Sequence, residues 1–212
     1  MPARLDHIVI VAPSLAAGAK FVAQALGVAP APGRKHPHMG SHNLLLSLGD
    51  SVYLEVAATD PEAEPIFRPR WFGLDDLNDM SVPRLAAGVA STDQICAASS
   101  ELGLAETMQR DGRTWQMTVT ADGKPPLAGA GPVLIQRSGA VHTAAALPDS
   151  GLRLRRLRIE CAAPEKVRAL LAQIGLFQTE VCIAPGASCK LVAEVETPLG
   201  PRTLGDASKP KF

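Results

Sequence analysis

The sequence predicts an α+β fold built from repeated βαβββ modules, and three observations support this class. Residues 4–60 contain a strand, a helix and further strands in that order. Residues 84–137 repeat the order, and residues 152–212 repeat part of it. The strands are runs of β-branched and apolar residues, whereas the helices have apolar residues three or four positions apart. The sequence therefore predicts two paired modules that form a mixed sheet, with a third, partial module.

The connections between these modules set the predicted boundaries. The segment after the first module is rich in proline and mixed charges, which is typical of a long connection. The predicted division is a first module at 1–60, a connecting segment at 61–83, a second module at 84–137, a linker at 138–151 and a third module at 152–212. We expect the third module to pack on the first two.

The first module has clear element boundaries. Residues 5–11 are apolar and β-branched around His7, which predicts a buried strand. Ser14 suits the N-cap of a helix and Gly27 suits the residue after its end. The remaining predicted elements of this module are a polar loop at 31–42 and strands at 43–48 and 52–56. In the second module we expect a strand at 84–90, a helix at 92–102 and strands at 113–120 and 133–137.

Strand alternation assigns residues to the two faces of the sheet. The predicted helix-facing residues are Ile8, Ile10, Leu54 and, in the second module, Ile135. The predicted residues of the opposite face are His7, Asn43, Tyr53, Glu55 and, in the second module, Gln136. A buried carboxylate beside an imidazole is costly unless it is paired, so His7 and Glu55 form either a functional pair or a structural hydrogen bond. In an apolar cup Glu55 would have a raised pKa and could act as a general base.

Three motifs resemble the glyoxalase-like domain group of the vicinal oxygen chelate superfamily. They are LDHIVI at 5–10, GRKHPHMGSHN at 33–43 and LGDSVYLEV at 48–56, followed by Asp60-Pro61. The resemblance implies that paired modules curl into an open cup that binds a small molecule. In metal-using members of the superfamily, each module supplies a His or Gln from its first strand and a Glu from its last. The resemblance thus assigns catalytic roles to His7 and Glu55.

The second module departs from the superfamily's metal pattern. Alignment of the two modules sets Leu85 opposite His7 and Gln136 opposite Glu55. Leucine cannot bind a metal, and glutamine offers only a neutral carbonyl oxygen. Hard divalent cations depend on carboxylate charge, so a site formed by His7, Glu55 and Gln136 would be weak. We therefore expect either no cofactor or a weakly bound divalent metal.

Further candidates line the predicted cup. The residues assigned to substrate binding are Asn43, Tyr53, Gln136, His42 and Trp71. Trp71-Phe72 is either an anchor that plugs one end of the cup or a wall of the pocket, and the anchor is favoured. For His36 and His38 the favoured interpretation is a solvated loop.

Charge and composition argue against two classes of function. Lys and Arg total 21 and Asp and Glu total 21, so the zero net charge gives no sign of a nucleic-acid or membrane-surface partner. No apolar run approaches the roughly 20 residues of a membrane span. We expect a cytoplasmic protein whose partner is a small molecule. The open sheet edge of the third module should either cover the cup or make a homodimer contact.

Two functions remain open at this point. One is a lyase, isomerase or oxygenase-type enzyme that uses His7 and Glu55 directly or through a metal. The other is a metal-free protein that binds or sequesters a small ligand without chemistry. The histidine–glutamate pair favours the first, and Leu85 and Gln136 favour the second.

Overall fold

The computed structural model describes residues 2–79, 82–110, 112–137 and 141–205. The first module contains β1 (Arg4–Val11), α1 (Leu15–Leu26), β2 (Ala31–His36), β3 (Ser41–Ser47) and β4 (Tyr53–Thr59). The second contains β5 (Arg84–Ser91), β6 (Leu104–Arg110), β7 (Arg113–Val119) and β8 (Val133–Arg137). The third contains β9 (Arg153–Cys161), α2 (Pro164–Gln173), β10 (Val181–Pro185), β11 (Lys190–Thr197) and β12 (Gly200–Leu204).

Strands β1 to β8 form one curled sheet in the order β2-β3-β4-β1-β5-β8-β7-β6. At its centre β1 pairs with β5 in antiparallel fashion. Each module's first strand also pairs in parallel with its last, β1 with β4 and β5 with β8. The two modules are therefore the two halves of one half-barrel, and the predicted α+β cup of paired modules is confirmed.

Helix α1 forms as predicted and lies close to the sheet. The Ser14 side chain accepts a hydrogen bond from the backbone N–H of Ala17, and Gly27 ends the helix at φ 76°, where glycine has no steric penalty. Gly18 permits the close approach, because a Cβ there would lie 2.2 Å from a methyl carbon of Val56. Neither this helix nor any other in the described ranges is long and apolar enough to cross a membrane.

The predicted helix of the second module is wrong. Two short 3-10 turns, Ile95–Ala97 and Ser100–Leu102, occupy this segment. The Ser99 side chain accepts a hydrogen bond from the N–H of Glu101, and serines that bind the backbone in this way compete with a continuing helix. The outer face of the second half therefore carries turns where the first half carries α1.

Strands β2, β6 and β10 form in segments where the sequence pattern indicated none. Strand β2 includes Pro32 and Gly33, which are usually depleted in strands, and the predicted loop at 31–42 is wrong for this half of the segment. The strand survives because it lies at the sheet edge, where a missing proline N–H removes no bond to a second neighbour. Its pairing with β3 is irregular between Pro32 and Lys35.

The third region forms its own four-stranded sheet in the order β10-β9-β11-β12. Its Leu157 and Leu191 share one apolar core with Ile8 and Leu54 of the large sheet. This sheet therefore covers the outer, helix-bearing face of the half-barrel. The expectation that the third region covers the cup is wrong, and the homodimer stays a prediction.

Candidate functional site: the concave face of the half-barrel

The concave face encloses a cavity of about 510 Å³. Buried side chains from both halves line its interior, namely His7, Asn43, Tyr53, Glu55, Trp71, Phe72, Met117 and Ile135. Exposed residues line its mouth, namely Arg34, Arg113, Thr114 and Val141. Five predicted site residues, His7, Asn43, Tyr53, Glu55 and Trp71, are thus brought together in one wall.

A β-bulge brings Asp6 and His7 to the same site. The pairing of β1 with β5 shifts register between Leu5 and His7, and such a shift interrupts the strict alternation of side chains. Asp6 and His7 are both buried, with exposures of 0% and 2%. Their side chains contact each other, with His7 Nδ1 lying 2.6 Å from Asp6 Oδ1.

His7 lies between two carboxylates. Asp6 holds Nδ1, and on the other side of the ring Nε2 lies 3.3 Å from Glu55 Oε2. Nε2 is buried and has no well-aligned hydrogen-bond partner among the described residues, so the contact with Glu55 is electrostatic. The Tyr53 ring stacks on the imidazole at a centroid distance of 4.5 Å. The ring is therefore fixed with Nε2 in the cavity wall.

The charges of this pair stabilise each other. Burial alone would raise the pKa of Glu55, but the interactions with His7 outweigh it and lower that pKa to about 2. Burial would lower the pKa of His7, but the interactions with Asp6 and Glu55 raise it overall. The expectation of a raised Glu55 pKa is wrong, because it considered burial without a cationic partner. Both shifts favour a carboxylate beside an imidazolium.

Asp6 is a site residue that sequence reasoning missed, although it lies next to His7 in the first motif. Arg137 donates to both of its oxygens, from Nη2 at 2.7 Å and Nε at 3.1 Å. His142 Nε2 lies 3.0 Å from Oδ2. Burial would raise the pKa of Asp6, but the hydrogen bonds from His142 and His7 hold it well below its usual range. Asp6 therefore joins β1, β8 and the segment after β8.

Asn43 fixes the second oxygen of Glu55. Its Nδ2 donates to Glu55 Oε1 at 2.8 Å, and its Oδ1 accepts from the backbone N–H of Arg34 at 2.7 Å. Gly33 makes room for this arrangement, because a Cβ there would lie 2.0 Å from Asn43 Oδ1. The amide orientation follows from these two bonds, so the nitrogen and not the oxygen of Asn43 faces the carboxylate.

His36 belongs to the site, and its assignment to a solvated loop is wrong. It lines the cavity, its Nε2 lies 3.1 Å from Asn43 Nδ2, and Arg110 Nη1 lies 3.1 Å from its ring nitrogens. Burial lowers the pKa of His36 to about 4, so the ring is neutral at neutral pH. His38, in contrast, is 58% exposed and contacts Arg68 outside the cavity.

Trp71 has both of the roles that the sequence left open. It is 5% exposed, and its Nε1–H donates to Ser41 Oγ at 3.1 Å, which anchors the segment after β4. Trp71 and Phe72 also line the cavity. Trp71 therefore both anchors the segment after β4 and forms part of the cavity wall.

Two predicted site residues lie outside the cavity. Gln136 faces the outer side, where its Oε1 accepts from the backbone N–H of Ile95 at 3.1 Å, and Ile135 lines the cup instead. The alternation is as expected, but the alignment of the two modules was wrong by one residue. His42 alternates with Asn43 and contacts Asp60 at 3.9 Å instead of the cavity.

The donor set does not fit the superfamily's metal site. His7 and Glu55 supply two donors, Asn43 presents its amide nitrogen, and the second half presents Ile135 and Arg137. Within the described ranges no three His, Cys, Asp or Glu residues are grouped so as to hold a metal. The two carboxylates beside His7 favour its protonated form, whereas a metal binds the neutral imidazole. We therefore derive no step through a metal.

A half-barrel of two paired modules with a polar site on its concave face defines a protein of the vicinal oxygen chelate class. The sequence model of the glyoxalase-like domain matches residues 5–175. The chain therefore belongs to the glyoxalase-like domain family, as its motifs indicated. No curated protein matches it.

Three solved structures are similar to parts of this chain. A hypothetical protein from Staphylococcus aureus is 12% identical with a TM-score of 0.63, over 89% of this chain and 88% of that chain. A methylmalonyl-CoA epimerase variant from Streptomyces coelicolor, in complex with 2-nitronate-propionyl-CoA, is 15% identical with a TM-score of 0.46, over 66% of this chain and 100% of that chain. The epimerase from Mycobacterium tuberculosis is 14% identical with a TM-score of 0.44, over 64% of this chain and 88% of that chain. At 12% identity the Staphylococcus aureus protein supports the fold alone.

Proposed function

We propose that the protein is a lyase- or isomerase-type enzyme that moves a proton on a small organic molecule bound in the cup. The observation that carries this proposal is the buried contact between His7 Nε2 and Glu55 Oε2, 3.3 Å apart in the cavity wall. Buried charges are costly, and proteins concentrate them where chemistry needs them. His7 Nε2 has no well-aligned partner in the described chain, so a ligand oxygen can accept its proton.

The two residues take complementary roles. Glu55 accepts a proton from a carbon next to a carbonyl group, and the imidazolium of His7 donates a hydrogen bond to the carbonyl oxygen as negative charge develops there. Asp6 holds Nδ1 and so fixes the direction of Nε2. Return of the proton from Glu55 to the same or a neighbouring carbon completes an isomerisation.

The low pKa of Glu55 describes the protein without ligand. A ligand that displaces water from the cup desolvates the carboxylate further, and desolvation raises a carboxylate pKa. When His7 donates its hydrogen bond to the ligand oxygen, its interaction with Glu55 weakens, and this interaction is what lowers the pKa of Glu55. Both effects strengthen the base in the complex.

The test follows exchange with solvent, because exchange reveals proton transfer without knowledge of the product. The protein is incubated in D2O with EDTA and a set of hydroxyketones, aldehydes, 2-oxo acids and thioesters, and loss of each α-proton signal is followed by NMR. We expect exchange in at least one compound, and a loss of roughly 100-fold or more in Glu55→Gln. His42→Gln, which changes a histidine outside the cavity, should keep the wild-type rate.

Two results would contradict this function. Exchange that survives Glu55→Gln would show that another group is the base. Exchange that EDTA abolishes and added zinc or manganese restores would show that the donor-set argument is wrong.

Binding without chemistry is the second candidate, and the low pKa of Glu55 favours it, because a carboxylate with a pKa of about 2 is a weak base. Here a compound would bind in the cup, with wild-type and Glu55→Gln proteins equally inactive in exchange. Calorimetry on the same set of compounds separates the two candidates.

A further inference from the structure

Two cysteines of the third region face each other where β9 ends and β11 begins. The four cysteines of the chain are free thiols, and both Cys161 and Cys189 pack in the core between the two sheets. We propose that these two cysteines form a site of reversible thiol oxidation, at which a small-molecule disulfide converts the thiols into a covalent link between β9 and β11. The site goes beyond the proposed function, because it lies on the outer side of the half-barrel and not in the cup.

The strand register places the two cysteines opposite each other. Glu160 pairs with Lys190 in the antiparallel β9–β11 pair. The next pair is therefore Cys161, the last residue of β9, and Cys189, the residue before β11. Opposite residues of an antiparallel pair have their side chains on the same face. Both thiols face the shared core, in which Cys161 is buried and Cys189 is partly buried.

The backbone hydrogen bonds of β9 show how closely the pair approaches. The N–H of Leu157 donates to Glu180 O at 2.7 Å, and Cys161 O accepts from the N–H of Gly186 at 2.9 Å. Alternate residues of a strand direct their backbone groups to the same neighbour, which here is the β10 side. Cys161 and Cys189 thus form a non-hydrogen-bonded pair. Opposite Cα atoms in such a pair lie about 4.5 Å apart, within the roughly 4.4–6.8 Å that a disulfide spans.

The oxidation proceeds by two exchange steps. The Cys189 thiolate, which is the more accessible, attacks one sulfur of the small disulfide, whose S–S bond breaks and releases one small thiol after protonation. The Cys161 thiolate then attacks Cys189 Sγ and displaces the second small thiol. The protein loses two electrons and two protons, and the small disulfide becomes two thiols. An excess of small thiol reverses both steps.

The Cys189 thiol should react slowly at neutral pH. Burial and the neighbouring Cys161 raise the pKa of this thiol to about 11, and the thiolate is the form that attacks a disulfide. The rate of oxidation should therefore increase about tenfold for each pH unit below that pKa. A thiol with an ordinary pKa of about 8.5 would level off earlier.

Treatment of the folded protein with oxidised glutathione tests the site. Cys96→Ser removes the exposed cysteine and leaves three of the four thiols. We expect one of these to remain free after oxidation and a Cys161–Cys189 link to appear in peptides cleaved without reduction, with dithiothreitol reversing both changes. Because the link closes residues 162–188 into a loop, the midpoint of thermal unfolding should rise by roughly 5 °C or more.

Two variants in the Cys96→Ser background identify the sulfur atoms that react. Cys189→Ala should keep its remaining thiols free and show no rise in the unfolding midpoint on treatment. Cys182→Ser is the matched control, because Cys182 is a half-buried cysteine of β10 whose Sγ lies 3.6 Å from Thr179 O. It should oxidise as its parent does.

Three outcomes would overturn the assignment. Three free thiols after prolonged treatment at alkaline pH would show that the strands hold the sulfur atoms apart. Glutathione retained on Cys189 would show that Cys161 does not reach it. A link between Cys182 and Cys189 would show that the register argument is wrong. None of these results depends on a ligand in the cup, so they are independent of the exchange experiment.

Discussion

The half of the cup formed by β1 to β4 carries a helix and the charged pair, whereas the half formed by β5 to β8 carries 3-10 turns and much of the aromatic and cationic lining. Both halves have the same strand order about the central β1–β5 pair. Where the first half presents Glu55, the second presents Ile135 or Arg137. The repeat therefore preserves the backbone of the module, while the histidine–glutamate pair occurs in one copy. A shared fold predicts where a site lies and says little about which half reacts.

Asp6 connects the halves, and its substitution should have the largest effect. Asp6→Asn leaves Arg137 without its buried counter-charge and His7 with one carboxylate instead of two, which should lower the free energy of unfolding by about 3–5 kcal/mol. Asp149→Asn is the matched control, because Asp149 binds Arg153 at an exposed position and should change stability little. Urea denaturation of both variants measures the difference. Equal losses would show that the buried network does not join the halves.

As the pH is lowered, the stability of the fold should fall in two steps, the first from His36 and the second from Glu55. Folding lowers the pKa of His36 from 6.5 to about 4, so the unfolded chain binds more protons and stability falls as the pH drops through that window. Folding lowers the pKa of Glu55 from 4.5 to about 2, so its contribution is present above pH 4.5 and is lost towards pH 2. Each step is worth at most about 3.4 kcal/mol.

The variant His36→Gln separates these steps. It should flatten the free energy of unfolding between pH 6.5 and 4 and leave the fall at lower pH in place. Denaturant titrations at half-unit pH intervals provide the profile. If the wild-type and His36→Gln profiles are parallel throughout, His36 is not buried in its neutral form.

Alanine substitutions at two glycines of the first half should affect different properties, namely the stability of the fold and the pKa of Glu55. In Gly18→Ala the new methyl meets Val56 on the outer face, which should cost about 1–3 kcal/mol of stability, partly offset by better helix propensity. In Gly33→Ala the methyl displaces the Asn43 side chain, which should raise the pKa of Glu55, because the bond from Asn43 lowers it. Carbon-13 NMR titration of Glu55 measures the second effect. A raised pKa in Gly18→Ala but not in Gly33→Ala would reverse the assignment of the two faces.

Local signals predicted much of the first half of the fold. Ser14 and Gly27 mark both ends of α1, and the alternation around His7 and Glu55 assigns them to the concave face. The second half was harder to predict, because serine-rich residues 92–102 have helix-like spacing without the continuous apolar stripe that a helix needs for packing. Strand β2 was not predicted because its proline, Pro32, is tolerated only at a sheet edge, and the edge position is a property of the whole sheet.

Three features of the site could not be predicted from the sequence. The motif contains Asp6, but alternation assigns it to the outer face, and only the bulge in β1 turns it inward. Arg110 and His36 lie 74 positions apart, and their contact depends on how far the sheet curls. The alignment that selected Gln136 was wrong by one residue, which in a strand moves a side chain to the other face.

In the proposed function, His7 and Glu55 form an ion pair for proton transfer in place of a metal site. Nitrogen-15 NMR of the histidine ring at pH 7, before and after addition of zinc, tests it most directly. We expect both nitrogens of His7 to be protonated and zinc to leave their signals unchanged, with His36 in the same spectrum as the neutral reference. A neutral His7 whose Nε2 signal shifts stoichiometrically with zinc would contradict the account.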